Sequence, residues 1–180
     1  MLRRLIAVLS ANWLTIRVVG AFVLLIVVFF TTLTYTPLVK RFDVAAGIAQ
    51  LAAWMSYGLL KALGAVVGFS ISRSGTILGS GNFEVDVSPA CSGAVPTMIY
   101  LAAVFAYPSS WRAKLIGAAL GMAVIHAVNL ARVSALFLIG LYAHRLFHET
   151  HVYVAQALVV AIAVATWLYW AGRFADAPRT

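Results

Sequence analysis

LIGAALGMAVIHAVNLARVSALFLIGLYA, from Leu115 to Ala143, is the stretch on which the fold turns. Only His126, Asn129, Arg132 and Ser134 interrupt its apolar character. A helix needs about 20 apolar residues to cross about 30 Å of hydrocarbon. The run therefore reads as a membrane span, over residues 113–132, with Arg132 at its end. An arginine at depth costs about 2.5 to 3.5 kcal/mol on insertion scales, so it faces a cavity or a partner and has a function. The bland alternative is a side chain that snorkels to the interface. Asn129 lies one turn earlier on the same face, placed to orient the guanidinium or a substrate carbonyl. His126, about two turns before Arg132, reads as an interhelical hydrogen-bonding group rather than a catalyst.

The rest of the chain has the same character. Hydrophobic residues make up 63%, charged residues 10%, and the mean hydropathy is +0.98, which excludes a water-soluble globular domain. The formal charge is +8, but the thirteen basic residues stand in ones and twos at the ends of apolar runs. That distribution sets membrane topology and does not build a nucleic-acid surface. Residues 1–180 form a single membrane-embedded domain. Its spans are 18–35, read as a retained helix and not a cleaved leader, then 89–107, 113–132 and 152–170.

Residues 44–68 carry Gly47, Gln50, Trp54, Tyr57 or Gly58, and Lys61 on one face. This pattern suits an interfacial amphipathic helix as well as a span. With that helix on the outer surface, the inside holds Arg3, Arg4, Arg17, Arg112, Lys114, Arg173 and Arg179 against Asp176 alone. The outside then holds Lys40, Arg41, Lys61, Arg73, Arg132 and Arg145 with Asp43, Glu84, Asp86 and Glu149. The positive-inside rule favours this arrangement of four spans with both termini cytoplasmic; if 44–68 also crosses, there are five. The expected architecture is an all-α integral membrane protein with an interfacial helix and a small extracytoplasmic β-hairpin over 69–88. In the hairpin, Thr76-Ile77-Leu78 and the alternating Phe83 to Val87 flank Gly79-Ser80-Gly81-Asn82. Glu84 and Asp86 share its solvated face.

Cys91 is the chain's single cysteine, so it forms no internal disulfide and is either packing or a reactive group. Ser88-Pro89 resembles a helix start, which puts Cys91 in the first turn; Ser92 is the alternative cap, because Pro96 fits best near a helix start. Both registers leave the thiol near the positive end of a helix dipole. His144, His148 and His151 recur at helical spacing, yet only Glu149 stands near them as a further ligand, and we assign no metal. His151 opens the last span at the level where Cys91 opens an earlier one, which makes it the best-placed base; His148 lies one turn away, so the choice stays open. A thiolate nucleophile, an imidazole and a guanidinium at one membrane face suit acyl transfer, with the guanidinium facing the oxyanion.

Ala90-Cys91-Ser92-Gly93, Asn129-Leu130-Ala131-Arg132-Val133 and His151-Val152-Tyr153-Val154-Ala155-Gln156-Ala157 occur in the order seen in exosortases, and over residues 69–170 the chain resembles the exosortase/archaeosortase family. Pro89 departs from the acidic residue that often precedes the family's cysteine pair. The resemblance implies a membrane-embedded cysteine transpeptidase with Cys91, Arg132 and His151 as its triad, Asn129 and His148 in support, and no cofactor. It further implies residence in a bacterial inner membrane with the site on the periplasmic face. The compact length is similar to exosortase H, whose partners are exported proteins with an Ile-Pro-Thr-Leu type sorting tail, cleaved through a thioester. Two other classes compete. A non-enzymatic assembly or scaffold subunit would use Cys91 for packing and Arg132 for a lipid headgroup. A small transporter would need a polar path on both sides of Arg132, which Leu115 to Ile125 does not offer.

Overall fold

The computed structural model describes residues 13–34 and 43–175. Arg3, Arg4, Lys40, Arg41, Asp176 and Arg179, which enter the charge comparison, lie outside them. Helix α1, Trp13–Thr34, is apolar on all sides and wholly unburied over its membrane-length stretch, as a lipid-facing helix requires. Near its end, the hydroxyls of Thr31, Thr32 and Thr34 donate back to the carbonyls of Val27, Val28 and Phe30, which leaves none of them unpaired in an apolar setting.

Helix α2, Val44–Val67, starts where the Asp43 carboxylate accepts from the Ala46 amide. It stops at Gly68, whose left-handed φ of 90° closes the last turn. Its buried face is Ala49, Ala53, Ser56, Leu60 and Gly64, and the face carrying Gly47, Gln50, Trp54 and Lys61 is exposed. The expected division holds only in part: the buried face is made mostly of small residues, Ser56 and Gly64 among them, and Leu51, Met55, Leu59, Leu63 and Val66 are exposed. Among the described residues, α2 is not one of the three helices long and apolar enough to cross a membrane.

Three short antiparallel strands follow, β1 (Ser72–Ser74), β2 (Ile77–Ser80) and β3 (Phe83–Asp86), in the order β1-β2-β3. The expected hairpin is present, with Leu78 opposite Val85 and Ser80 opposite Phe83. A third strand extends it. Ser72-Arg73-Ser74 has no apolar alternation and is exposed throughout, so it is held by backbone pairing with β2 and a bond from the Ser72 hydroxyl to the Gly79 carbonyl at 3.3 Å. Glu84 and Asp86 do face outward together, and Asp86 accepts from the Thr76 hydroxyl at 2.6 Å. Inward, Leu78 and Val87 join Ala53 and Leu60 of α2 in a core with Val133 and Phe137.

The chain then makes one 3-10 turn, Pro89–Cys91, before helix α3, Ala94–Ala106. Here the expected start at residue 89 is corrected. Ser88 and Pro89 do open a helical turn, but Gly93 adopts a left-handed φ of 83° and a new helix begins after it, so Cys91 is not in the first turn of the spanning helix. Pro96 sits in the first turn of α3, where its missing N–H has no helical partner to lose. The result is one shorter apolar helix beside three long ones.

Helix α4 runs unbroken from Trp111 to Tyr142, capped at its start by the Ser110 hydroxyl. It does not stop at Arg132, because nothing between Val133 and Tyr142 breaks a helix and each turn there buries apolar surface. Its 32 residues span about 48 Å, against about 30 Å of hydrocarbon, so one end stands clear of the apolar layer. That end is clothed by α2 and the sheet. At Ala143, with φ −141° and ψ 52°, the helix breaks, and α5 (His144–Glu149) leads through a π-helical turn, Thr150–Val154, into α6, Ala155–Arg173. The last long helix therefore starts three residues after the expected Val152. A second core, Tyr100, Val104, Ile125 and Trp170, ties α3, α4 and α6 together at the other end of α4.

Candidate active site

The 3-10 turn holds Cys91 half-buried where the sheet meets the helices. Four contacts shape that turn. The Ser92 hydroxyl donates to the Pro89 carbonyl at 2.7 Å and accepts from the Ala94 amide at 3.3 Å, and the Cys91 amide donates to the Ser88 carbonyl at 2.9 Å. From α4, the Asn129 side-chain N–H donates to the Cys91 carbonyl at 3.0 Å. This last bond explains Gly93. A side chain there would both strain a left-handed backbone and press on Asn129, whose Cγ lies 3.2 Å from where a Cβ would stand.

Cys91 Sγ and His151 Nε2 are 3.7 Å apart across 60 residues of sequence. The structure thus brings His151, not His148, to the thiol. His148 is exposed on the preceding turn, and it reaches the site only through its charge. The pKa of His151 lies below the ordinary 6.5, chiefly because burial disfavours the imidazolium, and secondarily because the positive charges of Arg132 and His148 oppose it. A neutral imidazole at neutral pH can accept a proton.

Arg132 is buried on α4 at 8% exposure, so it does not snorkel away from the protein. Asn129, at 1%, sits one turn before it on the same face. Arg132 Nε and Asn129 Oδ1 are buried and have no hydrogen-bond partner among the described residues, which leaves a donor and an acceptor open on this face of α4. His126 lines a cavity between α2 and α4 with Ile48, Leu51, Met55 and Asn129. His144, His148 and His151 do not converge on a shared point; among the described residues no three His, Cys, Asp or Glu side chains form a group that could hold a metal ion. An apolar cleft of about 310 Å³ opens between α1, α3 and α6, starting at Val95, Pro96 and Gln156 near the Cys91–His151 pair and reaching Trp167.

Sequence reasoning passed over Phe147 and Phe83. Phe147 precedes His151 by one helical turn and its ring stacks on the imidazole, with centroids 5.8 Å apart and planes at 15°. The i, i+4 spacing was the available signal. Phe83, on β3, meets Phe147 edge-on, and only the long-range fold brings them together.

No curated protein and no solved structure gives a significant match to the chain. The family model described as transmembrane exosortase (Exosortase_EpsH) matches residues 2–171, nearly the whole length and every residue of the site. With the cysteine, the buried arginine and the histidine gathered at one end of a bundle of apolar helices, this chain belongs to the transmembrane exosortase family.

Proposed function

We propose that this multi-pass membrane protein cleaves the C-terminal sorting tail of exported proteins, using Cys91 as nucleophile, His151 as base and Arg132 as the oxyanion's partner. Membership of the exosortase family implies a sorting transpeptidase acting on proteins with C-terminal sorting signals. The observation that carries the residue roles is the 3.7 Å approach of Cys91 Sγ to His151 Nε2.

His151 Nε2 takes the thiol proton as sulfur attacks the scissile carbonyl carbon. The carbonyl oxygen becomes an oxyanion, and the Arg132 guanidinium balances its charge. When the C–N bond breaks, the imidazolium returns its proton to the departing amine, leaving the retained part of the substrate as a thioester on Cys91. An amine or water then attacks the thioester, gives its proton to His151, and frees the thiolate. Asn129 takes the role of holding the Cys91 backbone, so the sulfur is presented from a fixed turn. The apolar cleft that opens beside the pair suits an apolar tail.

The site acts on the outer face of the inner membrane. Arg17, Arg112, Lys114 and Arg173 lie toward the end of the bundle opposite the sheet, and positive charge stays cytoplasmic. By the chain's resemblance to exosortase H, the tail we propose is of the Ile-Pro-Thr-Leu type. In a cell carrying a matched substrate, Cys91→Ala and Cys91→Ser abolish tail removal with the protein at its normal level. Continued processing by either variant sinks the proposal. The scaffold reading has less support, because a thiol used for packing alone does not call for a half-exposed position against an imidazole.

A further inference from the structure

In a hydrogen-bonded triad, a third side chain grips the far nitrogen of the histidine and fixes the ring. His151 lacks that grip. Its Nδ1 is buried, with no partner among the described residues. It stands in the π-helical turn Thr150–Val154, and the helical turns of α5 that run into it bury none of their residues against the rest of the fold.

What the segment does have is a set of rings. His144, Phe147 and His151 form a ladder of nearly parallel planes, with centroids 6.4 Å and 5.8 Å apart at 5° and 15°. Phe83 braces the ladder edge-on, 6.0 Å from His144 and 5.9 Å from Phe147. Phe83 is itself fixed, since it packs at 5.6 Å on the fully buried Phe137 and fills the space beside Gly140, where any Cβ would collide with its ring. These separations fall in the range where aromatic pairs add stabilisation beyond their area. A continuous chain of contacts therefore runs from the sheet, through Phe83 and Phe147, to the imidazole.

We propose that Phe147 is the positioning residue for His151, stacking in place of a hydrogen-bonding third member, and that the small sheet serves to brace it through Phe83. This rests on the reading of His151 as the base. Cys91 faces the imidazole from the 3-10 turn, and the charges acting on it are Arg132 from α4 and His148 from its own segment. Phe147 acts on none of these by charge. Its effect is to hold the ring's angle and distance.

The test uses the full-length enzyme with a matched substrate and compares Phe147→Leu with Phe147→Tyr. Leucine keeps apolar bulk and loses the stack, so kcat falls on the order of 10- to 100-fold with KM unchanged. Tyrosine restores it. Phe83→Leu, one contact removed, moves kcat in the same direction by less and serves where Phe147→Leu does not accumulate. A second readout needs no substrate: the alkylation rate of Cys91 against pH in detergent, where Phe147→Leu should reproduce the profile of His151→Ala. Wild-type kcat in Phe147→Leu, a tyrosine variant no better than leucine, or an alkylation profile unchanged from wild type overturns the proposal. Should Cys91→Ala still process substrate while the alkylation profiles behave as expected, the assignment of Cys91 as nucleophile is wrong and the positioning of the imidazole against the thiol stands.

Discussion

The two halves of α4 are built from similar residues and do different work. From Ala113 to Ile125 the helix buries small side chains, and aromatic rings fill the hollows: Trp170 lies over Gly117 and Tyr100 over Gly121. The polar ends of those rings find backbone acceptors, Trp170 Nε1 on the Ala113 carbonyl at 2.7 Å and the Tyr100 hydroxyl on the Gly117 carbonyl at 3.1 Å. Every polar atom in these contacts is paired. From Asn129 onward the helix buries Asn129, Arg132 and Ser134, each with a polar atom lacking a partner among the described residues. Close packing through small residues is how membrane helices gain stability, while buried and incompletely paired polar groups cost it. One half therefore pairs the polar groups of its close contacts, and the other shares a core with α2 and the sheet through Val133 and Phe137 while it leaves polar groups open at a site.

If that division is right, substitutions in the two halves separate activity from abundance. The largest effect is expected at Arg132. Arg132→Lys keeps the charge and loses the planar fork, so tail cleavage falls by about 10²- to 10³-fold while the protein accumulates normally. Full activity in the lysine variant would break the assignment of the guanidinium. Gly121→Ala should act in the opposite manner. Its added methyl meets the Tyr100 ring, which lowers thermal stability in detergent by about 1 to 3 kcal/mol, while the activity per folded molecule is kept. A matching fall in specific activity would show that the halves are not separable.

Acid titration sharpens the picture further. The folded pKa of His151 is below the ordinary 6.5, so the neutral base persists as pH falls through 6.5 and is lost only at more acidic values. The acidic limb of kcat/KM is expected below that ordinary value, and Arg132→Gln, which removes one opposing charge, should move the limb upward. A limb that stays put would detach Arg132 from the imidazole. The smallest effect on cleavage belongs to Trp170→Phe, which leaves it unchanged while forfeiting one hydrogen bond to a carbonyl and the part of the ring over Gly117, about 1 to 3 kcal/mol of stability. Unfolding and cleavage measured on the same preparation check both parts.

Some of this was legible in residue order and some was not. The apolar run around Arg132 and the alternation after Phe83 are local patterns, and a helix and a strand form there, although the helix runs ten residues beyond the expected end at Arg132. Strand β1 was illegible because Ser72-Arg73-Ser74 is held by backbone pairing with no buried side chain. The start of α3 was misplaced because two cap-like signals, Ser88-Pro89 and Ser92, lie close together. Gly93 resolves them by placing a turn on the first and a helix after the second.

By itself the sequence determined the membrane class, the lone thiol, and the arginine whose burial needs a reason, since hydropathy and desolvation cost are properties of the residues themselves. Only the tertiary structure decided which histidine meets Cys91, what holds its backbone, and what steadies the imidazole. Apart from the i, i+4 step from Phe147 to His151, those contacts join positions as far as 60 residues apart, and they depend on how α4, the sheet and the π-helical turn pack, which no local spacing encodes.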